Sequence, residues 1–193
     1  MAEKQRTIGK TVSLSGKGLH IGTEVKVTFK PAPENHGYVF KRVDLENQPL
    51  VKGLAENVVH TERGTTLEEN GVKVFTTEHA LAAVSGLGID NLLIELDGPE
   101  MPIMDGSSKY FLEALTEAGI IEQEAEKNYF VVKNKITFRD EKNDIEISIF
   151  PDDHFSVDVH IDYNSKVLGY QYASIKEISE FEKEISPDRK SVV

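Results

Sequence analysis

The chain has 193 residues, of which 39% are hydrophobic, and this suits one large domain or two small ones with a packed core. With 22 basic and 33 acidic residues its formal net charge is −11, whereas general nucleic-acid binders and peripheral binders of anionic lipid usually carry the opposite sign. The sequence has no cysteine, which excludes disulfides, thiolate zinc sites and cysteine nucleophiles. It shows no apolar signal region at its start and no apolar run near the ~20 residues of a membrane span. We therefore expect a cytoplasmic protein that binds no nucleic acid and does not insert stably into membranes.

The first half is predicted to consist mainly of short strands. Thr11–Ser15 alternates weakly between apolar and polar residues, and Val25–Phe29 alternates clearly, as half-buried strands do. Gly37–Val43 is predicted to be the next strand and to pair with the one before it across the turn at Glu34–Gly37. Val51–His60 is a weaker candidate for a strand.

A glycine-rich segment, Gly16–Gly22, follows the first of these strands. Its three glycines in seven residues predict a tight turn where the backbone closely approaches another group. The segment is either a loop at a functional site, with His20 pointing into it, or an ordinary hairpin turn. Glycine spacing alone favours the ordinary turn, because glycine is common in turns of many kinds.

A hairpin is predicted just before the first helix. Asn70-Gly71 lies between two extended runs, which is a strong signal for a two-residue turn. The second run, Val72–Thr76, leads directly into the helix. Residues of the hairpin are therefore candidates for the wall of a site at the helix start, and Thr65 and Thr66 are the foremost of them.

The chain is organised around the helix that begins near Glu78. Thr76 or Thr77 suits the N-cap, and Gly86 or Gly88 suits the end of the helix. One apolar stripe at helical spacing is formed by Ala80, Leu81, Val84 and Leu87.

Glu78 and His79 fall in the first turn of this helix, where the positive end of the helix dipole favours a carboxylate and disfavours an imidazolium. A neutral imidazole can bind a metal and a neighbouring carboxylate can accept a proton, so the pair provides half of a metallohydrolase site. The alternative is that the pair only caps or solvates the helix start, as many short motifs do.

A strand and a second helix follow. Asn91–Leu96 is predicted as an apolar strand, and Ser108–Ala118 as a helix that ends at Gly119. Between them, Asp105 is interpreted as a capping or turn residue rather than a catalytic one. The first unit is therefore predicted to be α+β, a two-layer sandwich of one sheet with two helices on one face.

The second half is predicted to begin after a charged linker at residues 122–128. Strands are predicted at Tyr129–Phe138, Asp144–Phe150 and Phe155–Ile161, and an amphipathic helix at Ser174–Ile185. We therefore expect a first domain over residues 1–121 and an incomplete second α+β domain over residues 129–193.

His154 and Asp158 form a His-x-x-x-Asp pair, a spacing that on a helix would place both side chains on one face beside a metal. The surrounding segment alternates with period two and is predicted as a strand, on which residues four apart lie ~13 Å from each other. One ion cannot bridge that distance. We therefore expect both residues to belong to the hydrated face of the sheet, together with His160 and Asp162.

Several segments, taken in order, resemble one family. They are Gln5–Thr7, Gly16–Gly22, Pro31–Pro33, Thr77–His79, Gly86–Asn91 and Pro102–Ser107. The ordered set, which spans Gln5 to about Pro187, is similar to the zinc-dependent UDP-3-O-acyl-N-acetylglucosamine deacetylases of lipid A synthesis in Gram-negative bacteria. The sequence looks most like the Bacteroidetes-type members, which are often fused to a 3-hydroxyacyl-(acyl carrier protein) dehydratase.

The resemblance implies two similar domains with the active site between them, so that the second half would be an incomplete copy of the first. It implies that His79 is a zinc (Zn²⁺) ligand, that Glu78 is the general base acting on zinc-bound water, and that a hairpin at about residues 57–76 flanks the site. It also implies a substrate, UDP-3-O-acyl-N-acetylglucosamine, and a dehydratase as a fused or separate partner. The residues expected to bind the substrate are Leu19, His20, Thr65 and Thr66.

The family's two further zinc ligands and its general acid would lie beyond residue 193, and the sequence departs from the family pattern at Lys190 and Ser191. We therefore expect the chain to be an amino-terminal fragment with one zinc ligand out of three, inactive by itself. The competing interpretation is a non-catalytic chain, a pseudo-enzyme or interaction module, that keeps only the fold of the first domain.

Overall fold

The computed structural model describes residues 3–189, so the departure at Lys190 and Ser191 lies outside the described residues. The strands are β1 (Lys4–Ile8), β2 (Val12–Lys17), β3 (Glu24–Pro31), β4 (Tyr38–Arg42), β5 (Leu50–Lys52), β6 (Val58–His60), β7 (Thr66–Glu69), β8 (Val72–Val74), β9 (Leu92–Leu96), β10 (Ile120–Glu126), β11 (Ile136–Asp140), β12 (Ile145–Ile149), β13 (Val157–Asp162) and β14 (Tyr170–Ile175). The two α-helices found in this range are α1 (Glu78–Gly86) and α2 (Lys109–Ala118). The contacts divide the chain into a first unit, made of the residues up to Lys127 and those from Phe181 onward, and a second unit, Asn128–Glu180. Several sheets with few helices give the mixed α and β fold that the sequence predicts, whereas the two-layer repeat stays a prediction.

The first unit is built on a five-stranded sheet in the order β2-β3-β9-β4-β5. β9 lies in its middle, antiparallel to β3 and parallel to β4. The prediction that β3 and β4 pair with each other is wrong, because β9 separates them. The physical reason is the apolar content of β9, since Leu92, Ile94 and Leu96 are fully buried and such a strand is better protected in the middle of a sheet than at its edge.

Both helices share one hydrophobic core with this sheet. Phe111 of α2 meets Phe29 of β3 edge to face, with the ring centroids 6.3 Å apart. Ala80 and Val84 are fully buried on α1, so the predicted apolar stripe faces the core. No helix in residues 3–189 is long and apolar enough to cross a membrane.

A three-stranded sheet, β6-β7-β8, carries the predicted hairpin. Asn70 and Gly71 have φ angles of 53° and 79°, which confirms the two-residue turn. Arg42, at the end of β4, ties this hairpin to the central sheet, because its guanidinium donates to the Lys73 carbonyl at 2.8 Å and pairs with Asp44 at 2.7 Å.

The strand predicted over Val51–His60 is wrong as a single element. The segment forms β5 and β6, separated by a 3₁₀ turn at Ala55–Asn57. The Gly53 N–H donates to the Tyr38 carbonyl at 2.8 Å, and the Asn57 side chain donates to the Lys52 carbonyl at 2.9 Å. These local hydrogen bonds turn the chain and end β5.

β10 occupies most of the segment that was predicted to be a charged linker at residues 122–128. It pairs antiparallel with β1, and its alternate residues Gln123 and Ala125 are half-buried while the glutamates between them are exposed. The charges therefore belong to the solvent face of a strand, and the local prediction of a linker is wrong. The domain limits at residues 121 and 129 stay a prediction.

The second unit contains two antiparallel strand pairs, β11–β12 and β13–β14. Strands β12 and β13 lie close to where they were predicted. The strand predicted over Tyr129–Phe138 is wrong over most of its length, because β11 begins only at Ile136 and continues to Asp140, and β14 was not predicted. On one face of the β11–β12 pair, large apolar side chains are about half exposed, so they contribute only part of the hydrophobic free energy that full burial would give. The exposed fractions on this face are Ile136 51%, Phe138 62%, Ile145 48%, Ile147 58% and Ile149 46%.

The helix predicted over Ser174–Ile185 is wrong. β14 continues to Ile175, which pairs with Val157, and only a 3₁₀ turn at Ile178–Glu180 and a π-helical turn at Phe181–Ile185 follow. Phe181 is buried in the core of the first unit, against Gly86 at the end of α1. The apolar positions that suggested one helix therefore serve a strand and a core contact.

We expect Gly86→Ala to destabilise the protein by roughly 1–3 kcal/mol, because a Cβ at this position would overlap the Phe181 ring. The helix propensity gained by replacing glycine, about 1 kcal/mol, opposes this loss only in part. Thermal or denaturant unfolding measures the change. Ser85→Ala, at the exposed neighbouring position, is the matched control, and an unchanged midpoint in Gly86→Ala would contradict the packing seen here.

Tyr38 makes a contribution to the stability of the first unit that depends on pH. Burial, and secondarily the Asp90 charge, raises the pKa of Tyr38 to about 12, and its hydroxyl donates to the Ile89 carbonyl at 2.6 Å. A folded-state pKa above the ordinary value of about 10 stabilises the fold fully below pH 10, and this contribution is lost as the pH rises through 12. Tyr38→Phe should cost about 1 kcal/mol at pH 7 and less as the pH approaches 11. Urea titrations at several pH values measure this cost, and a pH-independent cost would contradict the assignment.

Candidate active site

α1 starts at a turn that is tied to the hairpin. Thr77 occupies the N-cap, as predicted for Thr76 or Thr77, but its hydroxyl makes no capping bond to the helix. It donates instead to the Thr65 carbonyl at 3.2 Å, and the Thr77 N–H donates to the same carbonyl at 3.2 Å. The start of the helix is therefore fixed against the segment that enters β7.

Glu78 and His79 follow in the first helical turn. Glu78 Oε2 accepts a hydrogen bond from the Thr65 N–H at 2.8 Å, and Oε1 lies 3.8 Å from His79 Nε2. The side chain of His79 is 13% exposed and that of Glu78 is 30% exposed, so the imidazole is the more enclosed of the two. One carboxylate oxygen is thus held by the hairpin while the other faces the imidazole.

A cavity of about 430 Å³ adjoins this turn. Its walls come from the loop between β2 and β3, the segment between β6 and β7, and the approach to α1. The ring of His20 reaches across, with Nε2 3.3 Å from the Arg63 carbonyl. The residues that line the cavity are His20, Ile21, His60, Glu62, Arg63, Gly64, Thr66, Phe75 and Thr76.

The four residues predicted to bind substrate lie in different relations to this cavity. His20 and Thr66 line it, whereas Thr65 touches Glu78 through its backbone N–H. Leu19 is half-buried in the loop between β2 and β3 and is not among the lining residues. The role of these four residues toward substrate stays a prediction.

From the hairpin predicted at about residues 57–76 to flank the site, the sequence singled out only Thr65 and Thr66. His60, Glu62 and Arg63 of the same segment, a polar run between two short strands, were not named individually, and they line the cavity. Glu100 was also missed, although an acidic residue in the loop Gly98–Met104, among prolines and large apolar residues, is itself unusual.

Comparison with protein families matches residues 5–191 to the family described as LpxC, UDP-3-O-acyl N-acetylglycosamine deacetylase. This chain belongs to that family. The membership expected from the ordered motifs is therefore confirmed.

The relatives are longer than this chain. The bifunctional enzyme LpxC/FabZ of Bacteroides thetaiotaomicron is 47% identical over 186 residues, which cover 96% of this chain and 40% of that protein. The bifunctional enzyme LpxC/FabZ of Porphyromonas gingivalis is 46% identical over 187 residues, which cover 97% of this chain and 40% of that protein. The UDP-3-O-acyl-N-acetylglucosamine deacetylase of Myxococcus xanthus is 46% identical over 167 residues, 86% of this chain and 52% of that protein. The chain thus spans about two fifths to one half of the length of these relatives.

The donor atoms at the start of α1 of this LpxC-family chain fit a metal ion in type. Protein zinc sites use imidazole nitrogen and carboxylate oxygen, and His79 Nε2 and Glu78 Oε1 offer one of each, 3.8 Å apart. Within residues 3–189, Asp152, Asp153 and His154 form a group whose ligand atoms lie within 4.8 Å of one another, and all three residues are exposed. Exposed acidic groups of that kind are common without an ion.

His154 and Asp158 have separate partners, as expected for residues that do not share a metal. His154 lies in a bend before β13 rather than on the predicted strand, and its hydrogen bond to Asp153, with the charge of Asp152, raises the pKa of the imidazole. Asp158 lies on β13 and accepts from the Tyr172 hydroxyl at 2.7 Å. That bond, with Ser174 and Lys176, lowers the pKa of Asp158 to about 2.

In a form of the protein that retains zinc, we expect His154→Ala and Asp158→Ala to leave the zinc content unchanged, because these side chains belong to separate surface clusters. His79→Ala is the positive control and should lower the zinc content. Elemental analysis of the purified variants measures both effects. Zinc lost from Asp158→Ala, with the fold intact by circular dichroism, would make Asp158 a ligand after all.

Proposed function

We propose that this chain supplies part of the active site for the zinc-dependent deacetylation of UDP-3-O-acyl-N-acetylglucosamine, the committed step of lipid A biosynthesis. The observation that carries the proposal is the arrangement at the start of α1, where Glu78 Oε1 lies 3.8 Å from His79 Nε2 and the other carboxylate oxygen is held by the Thr65 N–H. The Myxococcus xanthus relative that bears the name of this activity supports the choice of substrate.

His79 is the residue of this chain that would hold the metal, through Nε2. Zinc, when bound, would act as a Lewis acid that lowers the pKa of water to about 7 and polarises the acetamide carbonyl. The more enclosed position of His79, 13% exposed against 30% for Glu78, suits a ligand that must be held in one orientation.

Glu78 is proposed as the general base. A general base must be ionised and within hydrogen-bond reach of the proton that it accepts. The Thr65 N–H and the positive end of the α1 dipole both favour the carboxylate form of Glu78. Because Thr65 fixes Oε2, Oε1 is kept toward His79, where it can take the proton of an attacking water.

The cavity is proposed to receive the substrate, with contacts from Leu19, His20, Thr65 and Thr66. Its other lining residues include Arg63 and His60, whose N–H groups suit the hydroxyl and phosphate oxygens of a nucleotide sugar. A cytoplasmic location and a two-copy architecture belong to the same proposal. A dehydratase as fused or separate partner does too, and the relatives named LpxC/FabZ support it.

A second candidate function is that of a non-catalytic chain. The observation in its favour is that, within residues 3–189, the start of α1 joins one imidazole to one carboxylate, whereas catalytic zinc sites use three protein ligands. Purified chain assayed for deacetylation with added zinc tests the non-catalytic candidate. We expect weak zinc binding and no turnover at the rate of a full-length relative, and turnover at such a rate would reject the non-catalytic candidate.

In a form of the protein that deacetylates the substrate, we expect Glu78→Gln to keep its zinc and to lose ~100-fold or more in kcat, the usual scale for a removed general base. Glu68→Gln is the matched control, because Glu68 lies on the same hairpin and pairs with Lys73 at 3.4 Å. Steady-state kinetics at matched zinc content measure the effect. Near-normal turnover of Glu78→Gln would reject the assigned role.

A further inference from the structure

Glu100 is a buried carboxylate that the proposed mechanism does not use. It follows β9, in the loop that leads toward α2, and it is 2% exposed. Buried charges are rare, because taking a charge out of water costs free energy unless hydrogen bonds replace the water. The partners of Glu100 therefore indicate what it is for.

Glu100 accepts hydrogen bonds from two separate segments of the site. The His20 N–H lies 3.0 and 3.1 Å from its two oxygens, and the Ile21 N–H donates to Oε2 at 2.8 Å. The Thr76 hydroxyl donates to Oε1 at 2.9 Å. Two of the three partners are backbone N–H groups, which can only donate, so they need an acceptor at this position.

The glycine-rich loop lies directly against this carboxylate. A Cβ at Gly18 would come within 2.9 Å of Glu100 Cδ, so a side chain at this position would have to displace the carboxyl group. The Gly22 N–H donates to the Gly18 carbonyl at 3.0 Å and closes the loop. The group that the backbone approaches closely, as the glycine spacing predicts, is therefore Glu100.

The other partner, Thr76, is a strained residue one position before the N-cap of α1. It is a β-branched residue with φ of 58°, a conformation that persists only where the surroundings hold it. The Phe75 N–H donates to the Pro99 carbonyl at 2.9 Å and the Met101 N–H donates to the Phe75 carbonyl at 3.0 Å. The segment around Glu100 thus lies alongside the turn that leads to Glu78.

We propose that Glu100 is a positioning residue that couples the loop carrying His20 to the turn carrying Glu78 and His79. One carboxylate sets the distance between two walls of the cavity, because its hydrogen bonds reach both. The coupling between the loop and the turn does not depend on which reaction the protein catalyses, whereas its effect on catalysis rests on the proposed function.

Amide hydrogen exchange of the ¹⁵N-labelled chain tests the coupling. Glu100→Gln keeps the size of the side chain but replaces one acceptor oxygen with an amide that cannot accept from an N–H. We expect exchange of the His20 and Ile21 amides, and of the Thr77 amide in the coupled turn, to become about 10- to 100-fold faster, as for the loss of hydrogen bonds to a charged group. The amides of β9 and α2 should keep their protection.

Asp97→Asn is the matched control, because Asp97 is an exposed carboxylate in the same stretch that accepts from the Lys26 N–H at 2.6 Å. It should change exchange at Lys26 only. Gly18→Ala is a second variant that displaces the carboxylate from the loop while keeping Glu100, and it should expose the same amides even where Glu100→Gln fails to fold. Unchanged exchange at His20 and Ile21, or an equal rise throughout the core, would overturn the positioning role.

Kinetics of a form that turns over the substrate separate this proposal from the proposed function. There we expect Glu100→Gln to lower kcat more than it changes KM, at unchanged zinc content. A normal kcat with exposed His20 and Ile21 amides would overturn the catalytic meaning of the coupling. An unmutated protein that does not deacetylate would reject the proposed function, while the exchange result would still decide the coupling.

Discussion

β9 is hydrogen-bonded along both edges, antiparallel to β3 and parallel to β4, and both ends of this strand organise other parts of the first unit. At its start, the Asn91 side chain donates to Gln5 and Gln123 at 2.8 Å each and accepts from the Gly37 N–H at 2.9 Å, which fixes β1 and β10 to the sheet. After its end, the chain places Glu100 against the loop that carries His20 and against Thr76. Because α1 precedes β9 directly, the position of this strand also determines where Glu78 and His79 lie.

The features that could be predicted from the sequence depend on neighbouring residues. α1 and α2 follow from helical spacing and from the glycines at or near their ends, and the hairpin follows from Asn70-Gly71, whose positive φ angles few other residue pairs adopt as readily. The placement of Glu78 and His79 in the first turn of α1 also depends only on neighbouring residues and could be predicted. Thr65 comes close to Glu78 because the predicted hairpin is short, and this much of the candidate site could be read from the chain alone.

The features that could not be predicted depend on partners far away in the sequence. β9 lies between β3 and β4, and the charged segment forms β10 because it pairs with β1. The ring of Phe181 packs against Gly86, far away in the sequence. Alternation or apolar spacing within a segment carries no information about such partners, so the charged run and the last apolar positions were misinterpreted. Glu100 was missed for the same reason, because its hydrogen-bond partner His20 lies 80 residues earlier.

The burial of the Glu100 carboxyl group follows from the path of the backbone around it. An apolar residue at this position would fill the space, and such replacements of buried charges are often neutral or stabilising in proteins. Here it would leave the His20 and Ile21 N–H groups and the Thr76 hydroxyl without this acceptor, at about 1–3 kcal/mol for each group left unsatisfied. The two N–H groups belong to the backbone and cannot be removed by substitution, short of proline. A buried acceptor is therefore required wherever the loop with His20 packs against the turn that begins α1. The loop, the strained Thr76 and the Glu100 carboxyl group together determine how far apart these two parts of the site lie.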